Sequence, residues 1–272
     1  MMNVVYAGNH KIFKGMLLST LSLLKHYDGP LSIYILTMEL KDLDPEYLAI
    51  KDEDIFLLEN ELRKVNKASR VIKVDTTLLF MQDLIHSKNN DTRYTAYTLL
   101  RLLLDKIDGM PDKVLYLDTD TMIAGDIASF YNIDITNYEL AGVKDRYGRF
   151  FMGPRYLNAG VLLFNLQLIK ETGLFYKARL YLNKKKVFLS DQTAINKFVK
   201  KKLILKRRYN EQKQIKKDTI VRHFSMQFRI FPKFHFVNIK PWHIDKVHTI
   251  LKCHDFDDIY DKYLTIRNED NL

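Results

Sequence analysis

Cysteine is nearly absent from this sequence, since Cys253 is the only one among 272 residues. A single cysteine cannot form a disulfide within the chain, which favours a reducing, cytoplasmic setting. Long apolar runs are missing as well. The nearest, residues 16–24, is interrupted by Ser and Thr and flanked by Lys14 and Lys25. It predicts an amphipathic helix that is too short to span a bilayer, and no signal peptide is expected.

The glycine-rich loops that bind dinucleotides or triphosphates are also missing. The first predicted strand ends in A-G-N-H, from Ala7 to His10, which matches neither G-x-G-x-x-G nor the Walker pattern. Dinucleotide-binding and P-loop functions are therefore unsupported. A tight Ala-Gly turn still allows the backbone to approach a nucleotide base, although an ordinary strand–helix turn has the same sequence.

The composition is that of a globular protein, with 47% hydrophobic, 28% charged and 12% aromatic residues. The length suits one large domain or two small ones. A formal net charge of +10 indicates anionic partners such as a nucleotide, a nucleic acid or a membrane surface. The basic residues cluster at 184–186 and 200–208, although such runs also form ordinary solvated faces.

Strand and helix patterns alternate along the first third of the chain, which predicts a mostly parallel, doubly wound α/β sheet flanked by helices. Asp44 is the predicted N-cap of a long helix, with Pro45 at its first position. The predicted strands are 3–7, 31–37 and 70–75, and the predicted helices are 13–27, 45–66 and 92–106.

The sequence V-L-Y-L-D-T-D-T-M, residues 114–122, is the centre of this pattern. Its apolar run predicts a strand buried on both faces, as in the middle of a parallel sheet. Asp118 and Asp120 follow at i, i+2, so on an extended backbone both carboxylates leave from one face. Adjacent buried carboxylates repel each other unless a cation lies between them, and oxygen ligands suit Mn²⁺ or Mg²⁺. The alternative is a pair of turn carboxylates that closes the strand.

Three further stretches carry polar side chains next to predicted strands. Residues 140–144 form a short strand that ends at Asp145, and residues 157–166 form a buried strand that begins with Asn158-Ala159-Gly160. Small residues there would allow a sugar to lie against the backbone. Ser190 is a predicted N-cap that places Asp191 and Gln192 in a first helical turn, although plain helix capping explains the same residues. A last strand covers residues 219–224.

Taken in order, A-G-N-H, Arg101, L-D-T-D, N-A-G-V-L-L-F-N-L, S-D-Q, R-H-F and K-P-W resemble the family 8 glycosyltransferases. That family includes bacterial lipooligosaccharide galactosyltransferases and glycogenin. The resemblance covers roughly residues 3–243. It implies a GT-A fold, a UDP-glucose or UDP-galactose donor, Mn²⁺ (or Mg²⁺), and transfer of the hexose with retention of anomeric configuration.

The resemblance also implies roles for individual residues. Asp118, Asp120 and His223 would bind the metal ion, and Asp118 would also reach the ribose. Arg101 and Asp145 would approach the donor sugar or diphosphate, and Lys240 would pair with a phosphate. The residues expected at the uridine are Ala7, Gly8 and Asn9, those around the sugar are Asn158, Ala159, Asp191 and Gln192, and those expected to act in catalysis are Gln192, Asp191 and Asp145.

Three positions depart from the family pattern. Asn9 stands where an acidic residue is frequent, and Ile12 stands where a base-stacking aromatic is usual, a role that Phe13 could take only with a shifted helix register. The metal histidine normally lies close before the lysine, whereas His223 is far from Lys240. Either a loop is inserted between them or His235 is the ligand. We prefer His223 because it ends an apolar strand.

The expected organisation is a catalytic domain over residues 1–243 and a helical tail over 244–272. The acceptor is expected to be a glycan or glycolipid, with no nucleic acid partner, and the oligomeric state is open. The basic run 200–208 and the aromatic segment 228–236 suit weak association with an anionic membrane, and the alternative is a soluble enzyme with a solvated basic face. Two alternatives stay open: a metal-dependent nucleotidyltransferase, and a non-catalytic basic protein that binds nucleic acid or membrane.

Overall fold

The computed structural model describes residues 1–90, 96–229 and 235–270 of the chain. Its centre is a sheet of seven strands, and two small antiparallel strand pairs lie outside that sheet. In chain order the strands are β1 (Met2–Ala7), β2 (Leu31–Thr37), β3 (Arg70–Asp75), β4 (Lys113–Leu117), β5 (Thr121–Ile123), β6 (Leu140–Lys144), β7 (Leu157–Asn165), β8 (Lys202–Leu205), β9 (Val221–His223), β10 (Gln227–Arg229) and β11 (His235–Val237).

The central sheet has the order β3-β2-β1-β4-β7-β6-β8. Strands β1 to β4 are mutually parallel, and β6 is parallel to β8, which confirms the prediction of a mostly parallel sheet. β7 is the exception, because it runs antiparallel to both of its neighbours, β4 and β6. The buried strand that carries the L-D-T-D sequence is therefore central, but only one of its two neighbours is parallel to it.

Helices cover both faces of the sheet, as expected for a doubly wound fold. Besides α-helices, 3₁₀ helices cover His10–Ile12, Ala96–Lys106 and Arg207–Tyr209. The α-helices are α1 (Phe13–His26), α2 (Asp52–Val65), α3 (Thr77–Asp83), α4 (Ile127–Tyr131), α5 (Gly148–Phe151), α6 (Leu166–Thr172), α7 (Leu174–Lys184), α8 (Ser190–Phe198), α9 (Ile244–Thr249) and α10 (Asp257–Asp270).

Strand β1 shows how the two faces are filled. Val4 and Tyr6 belong to the hydrophobic core that also contains residues of α1 and α10. Val5 and Ala7 belong to a second core, which contains residues of the 3₁₀ helix Ala96–Lys106 and of α7. Because successive side chains of a strand point to opposite faces, β1 separates two hydrophobic layers, as an α/β sheet requires.

The helix predicted from Pro45 is wrong at its start, because α2 begins only at Asp52. The side chain of Asp44 accepts a hydrogen bond from the backbone N–H of Glu46, two residues on, and the Tyr47 N–H donates to the Asp44 carbonyl. Asp44-Pro45 therefore forms a turn. At the true start of the helix, the carboxylate of Asp54 accepts from the Lys51 N–H. An Asp side chain stabilises a turn as well as a helix start, so Asp44 did not distinguish the two.

Two other helix predictions need correction. Ser190 is the first residue of α8 and Leu189 precedes the helix, so Ser190 is not its N-cap, although Asp191 and Gln192 do lie in the first turn. The helix predicted over 92–106 is a 3₁₀ helix from Ala96, and residues 92–95 lie outside the described part of the chain.

The C-terminal helices pack onto the sheet domain. Ile259, Tyr260, Tyr263 and Ile266 of α10 are buried in the same core as Leu17 of α1. The division at residue 243 stays a prediction. Within the described ranges, no helix is both long and apolar enough to cross a membrane.

Candidate active site

The two carboxylates of the L-D-T-D sequence lie in a turn between β4 and β5. The Thr121 N–H and hydroxyl both donate to the Asp118 carbonyl, at 3.1 Å and 2.8 Å. The prediction that an extended backbone aligns the two side chains is therefore wrong in its local geometry. The carboxylates nevertheless converge, because the tight turn brings Asp120 back towards the strand end.

His223 lies beside this turn because β9 pairs with β5, with Thr121 opposite His223. Its Nε2 is 3.1 Å from Asp120 Oδ1 and 3.9 Å from Asp118 Oδ2. The three potential ligand atoms lie within 4.8 Å of one another. The ring is 3% exposed, and within the described residues its Nδ1 has no hydrogen-bond partner. His235, the alternative ligand, belongs to β11, but its side chain lies outside the described part of the chain.

The donor set fits a divalent metal ion. Carboxylate oxygens and an imidazole nitrogen are both common ligands of divalent cations. Gly160 of β7 leaves the room that such an ion needs. A Cβ at Gly160 would lie 2.4 Å from His223 Cε1 and 2.5 Å from Asp118 Oδ2. Any larger residue would displace these two side chains.

Lys240 supplies a positive charge at the same cluster. Its Nζ lies 2.5 Å from Asp120 Oδ2, and it also approaches the Phe224 carbonyl at 3.4 Å. Burial by itself would raise the pKa of Asp120, but Lys240 and His223 outweigh it and hold that pKa well below its usual range. Asp120 is therefore a carboxylate at neutral pH, the form that binds cations.

Arg101 links the turn of the L-D-T-D sequence to α8. Its guanidinium contacts Asp118 Oδ1 at 2.8 Å and Asp191 Oδ2 at 3.2 Å, and the side chain is 2% exposed. It donates to the Ala159 carbonyl and stacks 4.1 Å above the ring of Tyr116. Burial by itself would lower the pKa of Arg101, but the two carboxylates reverse that effect and raise it. Arg101 is thus a permanent cation between two acids.

Asp191 is buried at the start of α8. Burial raises its pKa and the neighbouring Asp118 adds to the rise, while the guanidinium of Arg101 opposes both. Its side chain is 9% exposed. A buried carboxylate that is balanced between one cation and one like charge is typical of functional sites.

Asp145, Asn158 and Gln192 form a second polar group beside this one. Asp145 Oδ1 accepts from the N–H groups of Tyr147 and Gly148, which begin the turn into α5. Asp145 Oδ2 accepts from Asn158 Nδ2 at 2.9 Å and from Gln192 Nε2 at 3.4 Å. Gln192 Oε1 accepts from the Ala159 N–H. The structure therefore brings together the residues expected around the donor sugar.

The A-G-N-H stretch lies at the same edge of the sheet. Val5 pairs with Tyr116, so the parallel register brings Ala7 to the level of Asp118. Asn9 is buried, and its Nδ2 donates to the Glu46 carbonyl, away from the acids. Phe13 is 3% exposed in the hydrophobic core. It therefore offers no face to a base, and the suggested shift in register does not occur.

Residues whose role at this site the sequence pattern did not indicate complete the arrangement. Gly160 makes room for the acid–histidine cluster, which consists of Asp118, Asp120 and His223. Asn210 Nδ2 donates to Asn158 Oδ1 at 3.0 Å. Gly15 of α1 lies under the turn, where a Cβ would be 2.6 Å from the Thr119 carbonyl and 2.5 Å from the Trp242 ring. The N-A-G sequence was the available signal for Gly160, whereas nothing near Asn210 in the sequence indicates its role.

Known proteins resemble this chain in sequence and in structure. The profile of glycosyl transferase family 8 matches residues 3–246. A Haemophilus influenzae protein that carries a glycosyltransferase name is 27% identical over 194 residues, which is 67% of this chain and 54% of that protein. Glycosyltransferase GlyA of Streptococcus pneumoniae is 31% identical over 140 residues, half of this chain and 19% of GlyA. The chain thus spans about half or less of the length of these relatives.

Solved structures show the same fold at lower identity. The galactosyltransferase LgtC, in a complex with donor and acceptor sugar analogues, superimposes on this chain with a TM-score of 0.69 at 18% identity. The alignment covers 98% of this chain and 96% of LgtC. Glycosyltransferase GlyE of Streptococcus pneumoniae superimposes with a TM-score of 0.65 at 20% identity, and that alignment covers 97% of this chain and 64% of GlyE. These similarities confirm the GT-A fold.

Proposed function

The chain belongs to glycosyl transferase family 8, and we propose that it is a retaining hexosyltransferase that uses UDP-glucose or UDP-galactose with Mn²⁺ (or Mg²⁺). The acceptor would be a glycan or glycolipid. One observation carries the proposal. Asp118, Asp120 and His223 converge at the end of the central strand, between the cations Arg101 and Lys240.

The charges at this point suit a diphosphate leaving group. Breaking the bond between the sugar and the phosphate develops negative charge on UDP. A divalent ion held by Asp118, Asp120 and His223 would supply a Lewis acid for that charge. Lys240 places an ammonium group beside Asp120, within reach of a phosphate at the same position. Fixed cations that are already oriented stabilise developing charge without reorganisation.

The second polar group suits the sugar. Asp145, Asn158 and Gln192 hold one another through hydrogen bonds and offer oxygen and amide groups one layer away from the acid–histidine cluster. Arg101 ties the two groups together, because it contacts Asp118, Asp191 and the Ala159 carbonyl. A hexose placed here would have its anomeric carbon near Asp191 and Gln192.

These two residues are the candidates for stabilising an oxocarbenium-like anomeric carbon. Retention requires either a nucleophile beneath the ring or attack by the acceptor from the leaving-group side. Asp191 is held by Arg101, and both ends of the Gln192 amide are engaged, by the Ala159 N–H and by Asp145. This restraint favours an electrostatic role, in which a fixed negative charge and a fixed amide oxygen face the developing positive charge.

A screen of UDP-sugars for Mn²⁺-dependent hydrolysis tests the proposal. We expect release of free UDP from UDP-glucose or UDP-galactose, with loss of activity in excess chelator. Asp120→Asn is the matched inactive variant, because it keeps the shape of the side chain and removes its charge. Release of pyrophosphate from nucleoside triphosphates would indicate the nucleotidyltransferase alternative. Absence of UDP release with every donor and metal would refute the proposal.

A further inference from the structure

A cavity of about 660 Å³ lies between the loop that follows β6 and the loop that follows β8. Its walls carry six basic side chains and one acidic one, Glu211. The acid is already engaged, because it pairs with Arg207 and accepts from the Lys213 N–H. The six basic residues are Lys144, Arg146, Arg149, Arg207, Lys213 and Lys216.

This concentration of positive charge is unbalanced. Within the described part of the chain, Lys144, Lys213 and Lys216 make no ion pair with a carboxylate, unlike Arg207. Like charges around a concave surface repel one another and focus the positive potential into the cavity. An anion bound inside would relieve that repulsion, and a flat solvated face would not concentrate the field in this way.

The cavity has a polar floor and an aromatic rim. Asn210 is fully buried, and its Nδ2 is fixed because it donates to Asn158 Oδ1. Its Oδ1 has no hydrogen-bond partner in the described residues but is closed off from solvent, so Asn210 shapes the floor and does not itself bind the ligand. Tyr147 and Phe150 also line the cavity, and Phe150 is 71% exposed.

The cavity shares a wall with the polar group assigned to the donor sugar. Asp145 lies between Lys144 and Arg146, and its Oδ2 contacts Asn158 and Gln192. Gln212 ties the two loops together, because it accepts from the Arg146 N–H and donates to the Lys144 carbonyl. A ligand in the cavity would therefore lie one side-chain layer from the sugar.

We propose that this cavity binds an anionic group, a phosphate or a carboxylate, on the glycan acceptor. The inference rests on the proposed function, and it specifies the acceptor as an acidic glycan whose charged unit lies beyond the reacting hydroxyl. Charge-assisted hydrogen bonds from lysine and arginine would hold that unit. The hydroxylated part of the same unit would lie against the aromatic rim formed by Tyr147 and Phe150.

The test is a calorimetric titration of the whole chain with three disaccharides: one with a phosphomonoester, one with a uronic carboxylate, and the neutral parent. Saturating UDP and Mn²⁺ are present, so that anions cannot bind at the donor site. We expect the charged disaccharides to bind at least tenfold more tightly than the neutral one, with a preference that falls as salt rises. The two charged probes distinguish phosphate from carboxylate.

Two variants locate the effect. Lys213→Gln/Lys216→Gln removes two cavity charges from exposed positions and should weaken binding of the charged disaccharides by about threefold to tenfold. Lys184→Gln/Lys185→Gln removes the same charge at the exposed end of α7 and should leave binding unchanged. Equal affinity for charged and neutral disaccharides, or an equal loss in both variants, would overturn the inference.

Acceptor-free hydrolysis of the UDP-sugar separates this inference from the proposed function. Hydrolysis should be the same in the parent protein and in both lysine variants, because neither variant alters the donor site. Normal hydrolysis without preference for charged disaccharides would refute only the acidic acceptor. A charge preference without any hydrolysis would refute the proposed function and leave an anion-binding cavity, which would then not be an acceptor site.

Discussion

Gly160 sets the space available at the acid–histidine cluster, and Gly160→Ala is the sharpest test of the site. The added Cβ would lie 2.4 Å from His223 Cε1 and 2.5 Å from Asp118 Oδ2. Carbon atoms in proteins normally approach to about 3.5–4.0 Å. The histidine ring or the Asp118 carboxylate must therefore move by about 1 Å, because backbone on β7 is fixed by strands on both sides.

The expected cost differs between stability and function. Overpacking of this kind destabilises a fold by about 1–3 kcal/mol. A displacement of about 1 Å at a catalytic group lowers the rate by about 100-fold. We therefore expect Gly160→Ala to fold, with a lower Tm, and to lose most of its Mn²⁺ affinity and about 99% of its UDP-sugar hydrolysis.

Gly142→Ala is the matched control. Gly142 lies on β6 in the same sheet, and a Cβ there would meet Leu162 Cδ2 at 2.5 Å and no atom of Asp118 or His223 closer than 3.6 Å. It should lower the Tm while Mn²⁺ binding, measured by calorimetry, stays at the parental value. If Gly160→Ala binds Mn²⁺ and hydrolyses the donor as the parent does, the space at Gly160 does not determine the geometry of the site.

Three further predictions concern single side chains. Asp120→Asn should abolish Mn²⁺-dependent turnover with an unchanged circular dichroism spectrum, and full activity would exclude Asp120 as a ligand. His223→Ala should weaken Mn²⁺ and UDP binding far more than His235→Ala in calorimetry, and the reverse ranking would identify His235 as the ligand. Lys240→Ala should weaken UDP binding, because it removes a charged hydrogen bond worth about 1.5–3 kcal/mol. Gln192→Ala should instead lower kcat with little change in UDP affinity. Equal losses of UDP binding in the two variants would contradict this division.

The sequence by itself determined the parts of the fold that depend on local pattern. The strands 31–37, 70–75 and 140–144 have the predicted bounds, because short stretches rich in apolar and β-branched residues between turn residues favour a strand. The acid pair at the end of the central strand was equally visible. His223 came from the family resemblance, and we preferred it to His235 because it ends a short apolar strand.

Choices between locally similar arrangements needed the tertiary structure. A buried parallel strand and a buried antiparallel strand can have the same apolar sequence pattern. The antiparallel direction of β7 was therefore not predictable from its apolar run. Asp44-Pro45 suits both a helix start and a turn, and the turn that contacts Leu40 prevailed. The i, i+2 spacing of the acids predicted a shared strand face, whereas a turn brings them together.

The partners within the candidate site were decided by the tertiary structure alone. Arg101 contacts residues 17 and 58 positions away in the sequence, Asn210 contacts one 52 positions away, and Lys240 contacts one 120 positions away. No local periodicity encodes such pairs, because they form only when the sheet brings the ends of separate strands to one edge. Chemistry-bearing residue types are therefore visible in the sequence, while their mutual geometry is a property of the folded chain.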